Sequence, residues 1–225
     1  LYGGAIDNSS RGTVKITHST LSGNSTGREG GAIENFGGTV ELTNSTLSDN
    51  SSEGHGGGIW SLGTLEITNT TLSLNRADAD GDGSGLGGAL YLASSSSFPA
   101  SVVNNTLVAG NLRGTVGGDG PDDTFGTLDV ASSHNHIGDA ATAGSLNHGV
   151  NGNFVGNGGI GTLDITTVLD QTLADYGGPT LTHALLPGGV AVNAGENSLA
   201  VDAGGIPLEH DQRGDGFARI VDATV

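Results

Sequence analysis

The stretch GGAIDNSSRGTVKITHSTLSGN, residues 3–24, is written twice more. It returns as GGAIENFGGTVELTNSTLSDN over 30–50 and as GGGIWSLGTLEITNTTLSLN over 56–75. Equivalent positions keep step: Ile16, Leu42 and Ile67 lie 26 and 25 residues apart, as do Asn24, Asn50 and Asn75, while Ile6, Ile33 and Ile59 are spaced by 27 and 26. A period in the twenties marks a stacked-repeat architecture, in which one unit buries its apolar side only against neighbours above and below.

The text within the unit selects the kind of solenoid. TVKIT, TVELT and TLEIT alternate with period two, so Val14/Ile16, Val40/Leu42 and Leu65/Ile67 share one face and Lys15, Glu41 and Glu66 the other. Leu21, Leu47 and Leu72 return to the inside only if a corner intervenes, and the Thr, His, Asn and Ser residues between are turn formers. GGAI supplies a further short apolar segment behind glycines that permit a tight bend. Three short strands and three corners per unit make one coil of a right-handed parallel β-helix, an all-β fold. Leucine-rich repeats share the period, but the unit has neither a helix-length stretch nor an L-x-x-L-x-L pattern. At about 26 residues per coil, the 225 residues predict about eight coils, about 40 Å long at ~4.8 Å per coil. Val14, Val40 and Leu65, and likewise Leu21, Leu47 and Leu72, are expected in interior stacks, with Asn24, Asn50 and Asn75 as a corner ladder.

Composition agrees with an ordered solenoid. The apolar fraction of 34% becomes an ordinary globular value once the 42 periodic glycines are added. Seven basic residues against 24 acidic ones leave a net charge of −17, a field that repels nucleic acid and anionic membranes and attracts cations. The absence of Cys excludes disulfide staples and thiolate metal sites. No signal peptide or membrane span is visible. The chain opens inside a repeat without Met, which reads as a piece of a longer, processed polypeptide.

After Asn75 the repeat is stretched by RADADGDGSGL, and beyond Asn111 its period decays. From about Thr167 the text changes, to GGPTLTHALLPGGVAVNAG over 177–195 and DQRGDGFARIVDATV over 211–225. The repeats resemble those of polymorphic outer-membrane and adhesin-like β-helix proteins of bacteria, and the two later stretches resemble the C-terminal part of choice-of-anchor Q surface proteins. That resemblance implies a secreted, cell-surface, right-handed β-helix of the pectin-lyase-like class, attached by a variable C-terminal anchor and without enzymatic residues to carry over. The chain stops at Val225, where such proteins continue into an anchor. The expected division is 1–166 as β-helix repeats and 167–225 as a choice-of-anchor-Q-like segment continuing or capping the coils, with the coil axis running on.

Three groups of residues invite a chemical reading. Asp78, Asp80 and Asp82 with Gly83 place alternate carboxylates in a glycine-bent loop, as in the first half of an EF-hand, and predict a weak Ca²⁺ site projecting from the solenoid. The second half is missing, since Ala89 stands where the closing Glu belongs. Asp122 and Asp123 resemble the paired aspartates of polygalacturonase-style hydrolysis, yet Asp-Asp after Gly-Pro is also ordinary turn chemistry. His134 and His136 alternate along one strand face, where they could hold a metal; without an identifiable third ligand they read as surface or capping histidines. N-x-S/T triplets at Asn8, Asn24, Asn44, Asn50, Asn69 and Asn104 mimic glycosylation acceptors, but repeated corner asparagines need only stacking to explain them.

These features point to a non-catalytic, extracellular or cell-surface scaffold, adhesive or matrix-forming, with a polysaccharide or cell-surface partner. The alternative is a carbohydrate-active enzyme, a polysaccharide lyase or glycoside hydrolase. Head-to-tail self-association into filaments, the segment 217–225 of one copy docking on the first coil of the next, is a further expectation.

Overall fold

In a computed structural model the protein is described over residues 3–9, 11–202 and 204–220, and it is a right-handed parallel β-helix. Four columns of short strands form its walls. Sheet A stacks Ile6–Ser9, Ile33–Phe36, Ile59–Ser61, Leu90–Leu92 and Thr124–Phe125. Sheet B stacks Thr13–Thr17, Thr39–Thr43, Thr64–Thr68 and Val102–Asn104. Sheet C, the longest, carries Thr20–Ser22, Thr46–Ser48, Thr71–Ser73, Leu107–Ala109, His136–Ile137 and Phe154–Val155. Sheet D consists of the two-residue strands Ser25–Thr26, Ser51–Ser52, Arg76–Ala77, Leu112–Arg113 and Gly120–Pro121, the last pairing antiparallel.

A regular coil therefore has four strands, not three. The fourth is made of pairs such as Ser51–Ser52, which carry no apolar residue to mark the period; their partners one coil before are Ser25 and Thr26. The coil number also differs from eight. Six strands in sheet C span five intervals of about 4.8 Å, or about 24 Å.

The interior is as the repeat requires. Val14, Val40 and Leu65 are in register, as are Leu21, Leu47 and Leu72, followed by Val108, Ile137 and Val155. Val40, Leu42, Leu47, Leu65, Ile67 and Leu72 are wholly buried; Val14 and Leu21, in the first coil, are partly so. The buried members of this core are Ala, Ile, Leu and Val alone. The paired glycines make the bend into sheet A. Gly30, Gly56 and Gly87 have φ of 68, 67 and 73°, and a Cβ there would meet the carbonyl oxygens of Ile33, Ile59 and Leu90 at 2.2, 2.5 and 2.2 Å.

Polar columns fix the corners. Asn24 donates through Nδ2 to Asn50 Oδ1 (2.8 Å), Asn50 to Asn75 (2.9 Å), Asn75 to Asn111 (3.0 Å), and Asn111 to Asp123 Oδ1 (2.8 Å). The main-chain N–H of each asparagine donates to the same acceptor oxygen. A second column of Ser45, Thr70, Thr106, Asn135 and Asn153 accepts main-chain N–H groups from one coil to the next. A third joins Asn8 to Asn35 and Asn35 to Ser61.

The expectation that the coil axis runs on is not met. From about Leu163 the chain leaves the coil path and returns along the side of the solenoid as a strap over sheet C. Leu163, Val168 and Leu169 bury themselves against Leu107 and Ala109 on the outside of that sheet. The strap is fastened by a row of outward corner asparagines, Asn44, Asn69 and Asn105, whose left-handed backbones (φ 51, 54 and 48°) turn the amides away from the core. Asn44 Nδ2 donates to His210 O, Asn69 Nδ2 to Leu199 O, and Asn105 Nδ2 to Glu196 O (3.1, 3.1 and 2.8 Å). Gln212 is buried and bonds Thr46, Ser19, Thr20 and Thr180. Of the segment 217–225, only 217–220 lies within the described residues. Its Arg219 bonds Asn69 Oδ1 at 2.7 Å on the side of the solenoid, not at its end.

Asn75→Ala leaves the Asn50 N–H and Nδ2 without their acceptor inside the wall. It is expected to destabilise the fold by about 3 kcal/mol, measured as a lower denaturation midpoint at unchanged slope.

Candidate functional site

Side chains at alternate positions of sheet A point outward, and one such row reads Asp7, Glu34, Trp60, Tyr91 and Phe125 on successive coils. Phe36 stands in the adjacent row. The rings lie nearly parallel: Phe36–Trp60, Trp60–Tyr91 and Tyr91–Phe125 have centroids 6.0, 6.5 and 4.9 Å apart and interplanar angles of 6, 5 and 11°. His55, from the preceding corner, stacks on Tyr91 at 4.2 Å. Of the chain's nine aromatic residues (one Trp, three Tyr, five Phe), four thus line one outer face. Phe36 and Phe125 are 54% and 42% exposed.

The acidic end of this row is electrostatically unusual. Glu34 is 6% exposed, and its Oε2 is buried without a hydrogen-bond partner. Burial, reinforced by the charges of Asp7 and Glu29 and partly offset by Arg28, raises its pKa to about 7. The face therefore offers an apolar strip ending at a carboxyl group that takes and releases a proton near neutrality. Sequence reasoning missed it. The available signal was the residue after GGAI, GGGI and GGAL, which is Glu34, Trp60 and Tyr91 in turn.

The three aspartates singled out by spacing do come together. Asp78, Asp80 and Asp82 each present one carboxylate oxygen within 4.8 Å of the others. Asp78 is fully buried in the third coil at φ +54°, whereas Asp80 and Asp82 are exposed. Hydrogen bonds from Ser84 hold Asp82 below the usual carboxylate range.

Asp122 and Asp123 are adjacent in sequence but occupied with the wall. Asp122, 2% exposed, accepts from Gly87 N–H through Oδ2 and lies 3.7 Å from Arg113 Nε; burial raises its pKa. Asp123, 1% exposed, ends the asparagine ladder: Oδ1 accepts from Asn111 and Oδ2 from the Asp139 N–H, while burial raises its pKa to about 7. Of the N-x-S/T asparagines, Asn8, Asn44, Asn50 and Asn69 are buried and serve the columns or the strap.

His134 and His136 line a cavity of about 490 Å³ between sheet C and the strap, together with His183, Tyr176, Arg213 and Arg219. Nδ1 of both His134 and His136 is buried without a partner, and burial lowers the pKa of His136. No third ligand joins them: among the described residues, the one metal-spaced group of three is the aspartate cluster. Burial also lowers the pKa of Arg219.

Comparison with protein-family models, with curated proteins and with solved structures finds no match in any of the three. Among the described residues, no helix is long and apolar enough to cross a membrane.

Glu34 and Asp123 set a pH dependence. Each binds its proton more tightly folded (about 7) than at its ordinary value of 4.5 or 3.8. Between those limits the folded state keeps protons that the unfolded chain has released, so stability falls as pH rises. The melting temperature is expected to decline from about pH 4.5 to 7 and then level off. Glu34→Gln should flatten part of that slope, and an unchanged slope in the variant contradicts the assignment.

Proposed function

We propose that the protein is a non-catalytic β-helical scaffold of the secreted or cell-surface kind, and that it adheres to neutral polysaccharide through the outer face of sheet A. The carrying observation is the outward-facing aromatic row of exposed Phe36 and Phe125 and half-buried Trp60 and Tyr91, while among the described residues the main core buries no aromatic ring. Burial in the core is the usual fate of such side chains. Ring edges and faces on a flat wall suit the apolar C–H surfaces of pyranose units, while Asp7 and Glu29 beside them can accept bonds from hydroxyl groups. The same carboxylates and the net charge of −17 disfavour polyuronates. The cell-surface setting rests on the resemblance of 177–195 and 211–225 to choice-of-anchor Q proteins.

Titration with a panel of neutral and acidic polysaccharides tests this reading. Binding to at least one neutral polysaccharide is expected, weakened at least tenfold in Trp60→Ala/Tyr91→Ala at a retained fold. No neutral ligand, or full affinity in the double variant, removes the proposal. Glu34, with a pKa of about 7 beside Asp7, favours a carbohydrate-active enzyme as the second reading. New reducing ends or unsaturated products, abolished by Glu34→Gln, would establish that one instead.

A further inference from the structure

We infer that Asp78, Asp80 and Asp82 hold a hard divalent cation, with calcium preferred to magnesium, which fastens the inserted loop between the third and fourth coils.

Three carboxylate oxygens within 4.8 Å of one another repel strongly unless something positive lies between them. No basic side chain does so. The nearby Arg76 pairs with Asp119 at 2.9 Å and Arg113 lies beside Asp122, and none of the ion pairs among the described residues includes the three aspartates.

The second observation is Asp78 itself. It is wholly buried, its Oδ2 accepts the Gly83 N–H at 2.9 Å, and its Oδ1 is enclosed without any hydrogen-bond partner. A buried carboxylate oxygen with no donor is strongly unfavourable. A solvated acidic turn does not leave one, because its carboxylates stay in water. A cation shared with Asp80 and Asp82 supplies the missing partner.

The backbone leaves Asp78 little freedom to escape. A Cβ on Gly85 would come within 2.5 Å of Asp78 N, and one on Gly114 within 1.9 Å of Asp78 O, so the loop and the next coil close tightly over it. Oxygen-only ligands in a pliable loop suit calcium, which accepts six to eight oxygens in irregular geometry; magnesium demands a near-ideal octahedron. With three carboxylates and the balance from water or loop carbonyls, affinity should be about 0.1–1 mM, the range of weak extracellular modules.

Thermal unfolding of the whole chain decides it, in chelator, in CaCl₂, in MgCl₂ and in NaCl of matched ionic strength, with calorimetry for the affinity. A calcium-specific rise in Tm of about 5–10 °C is expected at a hundredfold excess over Kd. Magnesium should give a smaller rise and sodium none beyond screening. Asp80→Asn/Asp82→Asn changes only exposed groups, so it should fold normally and lose the calcium response. Asp78→Asn keeps an acceptor for Gly83 but removes the buried charge; it should melt higher than the parent in chelator and ignore calcium. Equal shifts in calcium and sodium, or a calcium response retained by the double variant, would overturn the site.

Discussion

A coil-to-coil chain of amide hydrogen bonds holds this solenoid in register. Each asparagine from Asn24 to Asn111 gives its main-chain N–H and one Nδ2 hydrogen to the acceptor on the next coil, and Asn50, Asn75 and Asn111 return their other hydrogen to a leucine carbonyl on the coil before. All donors point the same way, and the column ends on the carboxyl group of Asp123. It receives Asn111 on one oxygen and Asp139 on the other, where an asparagine would oppose its own N–H to that of Asp139. Apolar stacks supply most of the burial, but a leucine slides past a leucine with little penalty; the amides do not.

The same residue type serves a second purpose at the other corner. Asn44, Asn69 and Asn105 turn outward through a left-handed backbone and grip a strap that covers sheet C. Sheet C is thereby given to the strap and its cavity, and sheet A keeps an uncovered aromatic row. The polar residues of the strap are engaged in the same fastening: Gln212 bonds five residues, and Arg213 pairs with Asp211 while lying over Phe217.

The first three coils were legible because their spacing is nearly rigid and their alternation strong, down to the register of Val40 and Leu65. The fourth strand was not, since Ser51 and Ser52 contribute backbone bonds and no apolar signal. The strap was illegible for a similar reason: the asparagine row holds it by main-chain oxygens of residues such as Glu196 and Leu199, which a residue of any type could present. The convergence of Asp78, Asp80 and Asp82 could be read from spacing alone. The aromatic row left only a faint signal, because its members occupy a variable position that holds Glu34 in one coil and Trp60 in the next. The raised pKa of Glu34 left none, since it depends on what covers it.

Hydrogen exchange followed by NMR at the asparagine ladder tests the account most directly. The main-chain N–H and the Nδ2 hydrogens of Asn50, Asn75 and Asn111 should be among the slowest in the protein, opening only with global unfolding, while strap amides such as Gly189 exchange much sooner. Ladder hydrogens that exchange as fast as those of the strap would show that the column does not hold the coils together.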